Sequence, residues 1–268
     1  MIGLIYESNL SYSKGLYRVR KRINQSNLLL ISDLPQAIFK AIESIKIHRY
    51  WLEYYILHHP EYLYSLSPVK VEEKAPRIIK LAAFAAELMN VGPMAAIPGA
   101  LAELGVEVMI REGGLVNLIE NGGEISAFSL KPINVGVYAG KSPLSGKIGF
   151  HLTKDDFPIG IATSSSTITH ALSFGEADAT IIIADSSSIA DAAATAVCNV
   201  VKGSDIEASI QSGLELAENL PYVRGALIIR DKYAGLVGKL PQFIKFNGSI
   251  NEIFKASLYE VLPNKKFL

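Results

Sequence analysis

The stretch 160–199, GIATSSSTITHALSFGEADATIIIADSSSIADAAATAVCN, constrains this chain more than any other. A short apolar run (159–162) breaks into five hydroxyl residues (163–167), with His170 just beyond. A second apolar run (179–184), a second hydroxyl cluster (186–188) and an Ala-rich segment from Ile189 follow. Short apolar runs bounded by Ser, Thr and Gly read as strands, and a block of Ala reads as helix because Ala loses no side-chain entropy there. The expected order is strand, polar loop, strand, turn, helix. Ser188 with Asp191 three residues later resembles a capping start, the acid suiting the positive end of the helix dipole. Ile189, Ala193, Ala196 and Val200 form an apolar stripe of small residues, open to close approach by another backbone. Asp191, Thr195 and Asn199 recur at i, i+4 and i+8, so their side chains point the same way. Spacing leaves two readings of that row open. A carboxylate and a hydroxyl one turn apart are hard oxygen ligands suited to Mg²⁺ or Ca²⁺. Alternatively Asp191 caps the helix and Thr195 bonds back to the carbonyl one turn earlier.

At 268 residues the chain can bury a substantial core, as one domain or two intertwined subdomains. Its 49% apolar and 19% charged residues are those of an ordinary soluble globular protein. A formal net charge of zero argues against nucleic acid or an anionic membrane as partner. The first residues, MIGLIYESNLSY, lack the pattern of a signal peptide, and no run reaches the ~18 apolar residues of a membrane span. The expected location is cytoplasmic. A single cysteine, Cys198, excludes an internal disulfide and a Cys-based zinc site.

Along the chain, 17–23 and 28–31 read as a hairpin turning at 24–27. Ser32-Asp33-Leu34-Pro35 starts a helix expected to run to about His58, before Pro60. Its aromatics Tyr50, Trp51, Tyr54 and Tyr55 read as a packing face, and His48, His58 and His59 as surface or helix-end residues. The polar stretch 61–74 is an irregular connection and an approximate subdomain boundary, near 61–76. Helices are expected over 75–89 and 94–110, with Pro98-Gly99 kinking the second or opening a tight backbone approach. Residues 115–120 and 124–128 form strands around the turn Asn121-Gly122-Gly123, with further strands at 133–138 and 148–152. A helix over 204–218 and a final hairpin of 226–229 with 235–237 complete the chain. Strands in pairs with helices between the pairs indicate an α+β fold with antiparallel sheets.

The motif search is mostly negative. Gly136-Val137-Tyr138-Ala139-Gly140-Lys141-Ser142 has three residues between its glycines where a phosphate loop needs four, and it leads to a strand. There is no GxGxxG after a strand, no HExxH and no GxSxG. A hydrolase using a hydroxyl from 163–167 with His170 as base is one reading; turn formation or anion binding by those hydroxyls is another.

Three segments together resemble one family. GPMAAIPGALAE (92–103), NGGEI (121–125) and the stretch from Gly160 to ADAAATA look like the ApbE-like superfamily, founded on FAD:protein FMN transferases, and are most similar to its uncharacterised branch. The resemblance implies a T-fold-like antiparallel α+β architecture with two similar packed halves around a central site. It further implies that Asp191 and Thr195 bind a divalent metal, Mg²⁺ or Ca²⁺. Asn121, Gly122 and Gly123 would line a nucleotide site, Glu103 would stand for a family acid, and His170 would serve as the catalytic histidine. Departures accompany the match: Pro98-Gly99 stands where the transferases carry Lys-Gly, Glu124 where an Asp is usual, and the 163–170 loop is shorter.

The expectation is therefore a metal-assisted binder of FAD or another phosphate-bearing nucleotide, with possible transferase activity. Thr163, Ser164 and Ser165 join the Asn-Gly-Gly turn in positioning that small-molecule ligand. The alternative is a catalytically inactive ApbE-like protein that binds a metabolite or a partner. The aromatic helix suggests a homodimer.

Overall fold

The chain enters its sheet through two strands, β1 (Leu10–Ser13) and β2 (Leu16–Ile23), and turns at Asn24 (φ 51°) into β3 (Ser26–Ser32). The computed structural model describes residues 10–166 and 174–246. Helix α1 (Pro35–His58) follows, with Pro35 in the first turn, where a missing N–H breaks no helical bond. After α2 (Pro60–Tyr64) and α3 (Arg77–Met89), a 3₁₀ turn over Pro93–Ala96 leads into α4 (Ile97–Arg111). Strands β4 (Val116–Asn121) and β5 (Glu124–Ser129) meet at Gly122 and Gly123, whose φ values of 80° and 124° favour glycine.

Strands β6 (Ile133–Gly136) and β7 (Ile148–Leu152) leave the main sheet; β8 (Ile159–Ser164) and β9 (Ala179–Ala184) return to it. Helices α5 (Ser187–Val200) and α6 (Ile206–Asn219) precede β10 (Val223–Arg230), β11 (Tyr233–Gly238) and β12 (Gln242–Lys245). The main sheet has nine antiparallel strands in the order β1-β2-β3-β4-β5-β8-β9-β10-β11. Two similar halves are visible in that order. Two strands, helices, then two strands make β2-β3 to β4-β5, and the same sequence makes β8-β9 to β10-β11. The β5–β8 pairing, Ile125 opposite Ile161, joins them. The helices cover one face over a core that includes Ile38, Ile79, Leu104, Ile182 and Ala193. The three-stranded sheet β12-β7-β6 covers the other, closing over Ile31, Ile125, Phe150 and Ile181. Alternation along the central strands β3, β4, β5, β8, β9 and β10 feeds both cores, so these strands are apolar on both faces.

Several expectations change. Pro98 does not kink a long helix: the 3₁₀ turn ends at Ala96, and Pro98 sits in the first turn of α4. The tight approach at Gly99 is present. Helix α5 is capped by Ser186, whose hydroxyl accepts from the Ile189 N–H at 3.4 Å, rather than by Ser188 with Asp191. Strand β12 extends past the final hairpin, and β1 precedes the first. Of the α1 aromatics only Tyr55 is buried; Tyr50, Trp51 and Tyr54 face water. His48 is half-buried between charged neighbours, and burial together with Arg77 lowers its pKa. The stretch Pro93–Arg111 is apolar and long enough to cross a membrane, but most of it is buried inside the protein, as the central helix of the layer.

Candidate functional site

The Asn121-Gly122-Gly123 turn, the first turn of α4 and the first two turns of α5 meet at one end of the β4–β5 hairpin. Three hydrogen bonds fix the junction. The Asp191 carboxylate accepts the Gly99 N–H at 2.8 Å, the Ser187 hydroxyl donates to the Gly99 carbonyl at 2.8 Å, and the Asn121 amide donates to the Pro98 carbonyl at 3.0 Å. A Cβ on Gly99 would lie 2.2 Å from the Ser187 carbonyl oxygen and 2.9 Å from the Asp191 Cβ, so only glycine fits. Gly160 is under the same constraint, because its Cβ would lie 2.2 Å from the Ser186 carbonyl. Gly99, where the sequence offered a tight backbone approach, and Gly160 thus let α4, α5 and β8 approach backbone to backbone.

Glu103, one turn further along α4, accepts from the Ser188 N–H at 3.1 Å and from its hydroxyl at 2.7 Å. Its carboxylate therefore serves the positive end of α5. It belongs to the site as a tie between helices, not as a group facing open space.

Three acids gather at the turn. Glu124 faces the helices, as does Asn121, its register partner across the hairpin. Glu124 is buried, and burial, with the Asp191 charge next in weight, holds its pKa well above the usual carboxylate range. Burial pushes Asp191 up to about 8, against a lowering by the Gly99 N–H. Glu120 accepts the Gly123 N–H at 2.9 Å, and burial raises it to about 7. Carboxylates this dry and this close cannot all ionise without a counter-charge, because desolvation and mutual repulsion add.

Thr163 and Ser164 end β8 beside this turn: a Cβ on Gly123 would lie 3.7 Å from the Thr163 carbonyl oxygen. Ser165 is buried just beyond. Ser164 pairs with Thr180, whose hydroxyl is buried without a hydrogen-bond partner among the described residues. Thr195 stands one turn beyond Asp191 and is half-buried. The junction therefore collects Asn121, Gly122, Gly123, Glu103 and Asp191, with Thr163 alongside. His170 and Thr167 lie outside the described residues.

Sequence reasoning missed Glu120 as a site residue and noticed Glu124 only as a departure from the family. An ionisable residue inside an apolar strand run, LVNLIE, was the available signal. Among the described residues no three His, Cys, Asp or Glu side chains form a ready metal cluster. The donor chemistry is two buried carboxylates, Asp191 and Glu124, with the Thr195 hydroxyl, all hard oxygens.

The family model described as AbpE bacteria matches residues 11–219. A UPF0280 protein of Methanocaldococcus jannaschii is 42% identical over 232 residues, covering 85% of this chain and 93% of its own. One from Methanococcus maripaludis is 42% identical over 239 residues, covering 87% and 96%. Among solved structures, an ApbE protein from Thermotoga maritima superposes with a TM-score of 0.56 at 13% identity, covering 80% of this chain and 94% of that one. The apo flavinyl transferase ApbE of Pseudomonas stutzeri gives 0.50 at 12%, covering 83% and 94%. At such identity these two likenesses speak for the fold alone. The family match spans the first strand-helix-strand half, the second as far as α6 and every residue of the junction just described, and on that ground the chain belongs to the AbpE bacteria family.

Proposed function

We propose that the junction is a metal-assisted binding site for FAD or another phosphate-bearing nucleotide, placed to support transfer of a phosphate-linked group. The observation that carries the reading is the buried, mutually repelling pair Asp191 and Glu124 at a glycine turn. Asp191, Thr195 and Glu124 would hold Mg²⁺, which when bound neutralises charge on a phosphate. The chain's own residues do the rest. The Gly99 N–H orients the Asp191 carboxylate, and the Pro98 carbonyl holds Asn121 against the turn. Gly122 and Gly123 leave no Cβ between the hairpin and a ligand. Thr163 and Ser164 offer hydroxyls beside it, and His170 is the proposed acid, base or orienting donor.

The test is a fluorescence titration of the protein with FAD, with and without Mg²⁺. Quenching that requires Mg²⁺ and is lost in Asp191→Ala is expected; binding unchanged by metal and by the substitution would refute the reading.

One observation favours a second reading, a binding protein without turnover. Glu103 and Asn121 are engaged in bonds within the chain, and Pro98 supplies no cation at the position where a Lys would face phosphate. That version expects the same Mg²⁺-dependent binding and an intact nucleotide after prolonged incubation, read by chromatography of the mixture.

A further inference from the structure

Helix α1 is apolar on two opposite faces. Ile38, Ala41, Ile42, Ile45, Leu52 and Tyr55 are buried against the protein. On the far side Ile47 (56% exposed), Tyr50 (61%), Trp51 (42%), Tyr54 (49%) and Leu57 (79%) are open to water. At 3.6 residues per turn these five fall within about 120° of one another, centred roughly opposite the buried stripe. Tyr50, Trp51 and Tyr54 touch one another, with ring centroids 5.5–6.4 Å apart, so the patch is already ordered. Among the described residues nothing covers it. A helix apolar all round belongs in an interior.

We propose that this face is the interface of a homodimer in which two α1 helices pack antiparallel across a two-fold axis. Two observations select a second copy as occupant. The first is charge. Lys46 and Glu53 are seven residues apart and so lie on the same flank of the stripe. In an antiparallel two-fold pair, same-flank residues face each other. An axis between Arg49 and Tyr50 sets Lys46 of each copy opposite the half-exposed carboxylate of Glu53 of the other, whose Oε1 holds Arg49 and Asn24 of its own chain and whose Oε2 faces the pair. That axis falls beside Tyr50, about 4 Å along the helix from the middle of the aromatic stripe. A parallel pair would instead set Lys46 against the opposite flank, Ser44, His48 and Trp51, which carries no acid.

The second observation is area. Side chains of this size and exposure leave on the order of 500 Å² open, most of the ~800 Å² per partner of a standard interface. Tyr and Trp are also the residues that anchor such interfaces. The proposal is independent of the nucleotide-site reading, since the stripe lies on α1, outside the α4–α5 junction.

Sedimentation velocity of the full-length protein between about 0.5 and 50 µM tests it. A dimer is expected, weakened at least ~100-fold by Tyr54→Glu, which puts a charge into the apolar stripe, and ~10-fold by Lys46→Glu, which sets Glu against Glu. Orientation is read from single cysteines under a mild oxidant, Cys198 being buried. Tyr50→Cys lies beside the axis and should form an inter-protomer disulfide. Leu57→Cys should not, because its mate would be roughly 20 Å away along the helix. A protein monomeric at every concentration overturns the proposal. A dimer indifferent to Tyr54→Glu or Lys46→Glu, or equal coupling of both cysteines, overturns it as well.

Discussion

The two halves of the sheet place a hairpin turn at the same topological point, and the two turns are built in opposite ways. In the first half β4 and β5 close through Asn121-Gly122-Gly123-Glu124; in the second, β10 and β11 close through Arg230-Asp231-Lys232-Tyr233. Arg230 donates to the Ser209 hydroxyl at 2.7 Å, to the Gly203 carbonyl at 2.8 Å and to the Glu176 carboxylate, while the Asp231 N–H reaches Asp178 at 2.6 Å. Arg230 meets an opposite charge there, and the Asp178 carboxylate meets an N–H dipole. The first turn instead buries Glu124 beside Asp191 and Glu120 on the opposite face, and among the described residues no cation hydrogen-bonds to them, Arg20 acting on Glu120 only through its charge. One turn is a clasp complete within the chain; the other is electrostatically unfinished. Burying uncompensated carboxylates lowers stability, so the unfinished turn is where a ligand has most to offer.

Four changes sharpen that contrast. The largest effect is expected from Gly99→Ala, which drives a Cβ into the Ser187 carbonyl at the unfinished end: a loss of at least ~3 kcal/mol, read by chemical denaturation. Next is pH. The folded protein holds protons on Glu120, Glu124 and Asp191 more tightly than the unfolded chain does. Between roughly pH 4.5 and pH 8 the unfolded state therefore binds fewer protons, and stability falls as pH rises. In chelator the Tm should drop by roughly 5–10 °C from pH 5 to pH 8, and millimolar Mg²⁺ should remove most of that drop. Arg230→Ala at the finished clasp should cost about 2 kcal/mol in denaturation, equally with and without Mg²⁺, because its partners are fixed in the chain. Gly122→Ala is expected to cost least, about 1 kcal/mol, since its φ of 80° is strained for an L residue while the nearest atom, a Glu124 oxygen, lies 3.5 Å from the added Cβ.

The same contrast explains what could be read in the sequence. The paired strands, α1, α5 and the glycine turn are local patterns, of period two or 3.6 or of turn chemistry, and the structure places each where the pattern did. The resemblance marked Asp191, Glu103 and Asn121, and all three do converge. Their partners were not legible: Gly99 lies 92 residues from Asp191, and Ser188 lies 85 from Glu103. No local pattern encodes such a pairing. Glu103 read as ligand-binding, yet α5 brings an N-terminus to it. Ser188-Asp191 looked like a cap, yet Ser186 fits the dihedrals and Asp191 turns inward. The α1 aromatics show the remaining limit. Spacing reveals an apolar stripe, but a helix with two stripes does not say which one its own chain buries.

The most direct measurement is the Tm of metal-stripped protein at pH 8, wild type against Asp191→Asn and Glu124→Gln, before and after Mg²⁺. Neutralising one acid removes repulsion, so both variants should melt above wild type in chelator. Mg²⁺ should then stabilise wild type by about 2–3 kcal/mol and leave both variants unmoved, reversing the order. Variants that melt below wild type in chelator, or that respond to Mg²⁺ as wild type does, would contradict a cation site at Asp191 and Glu124.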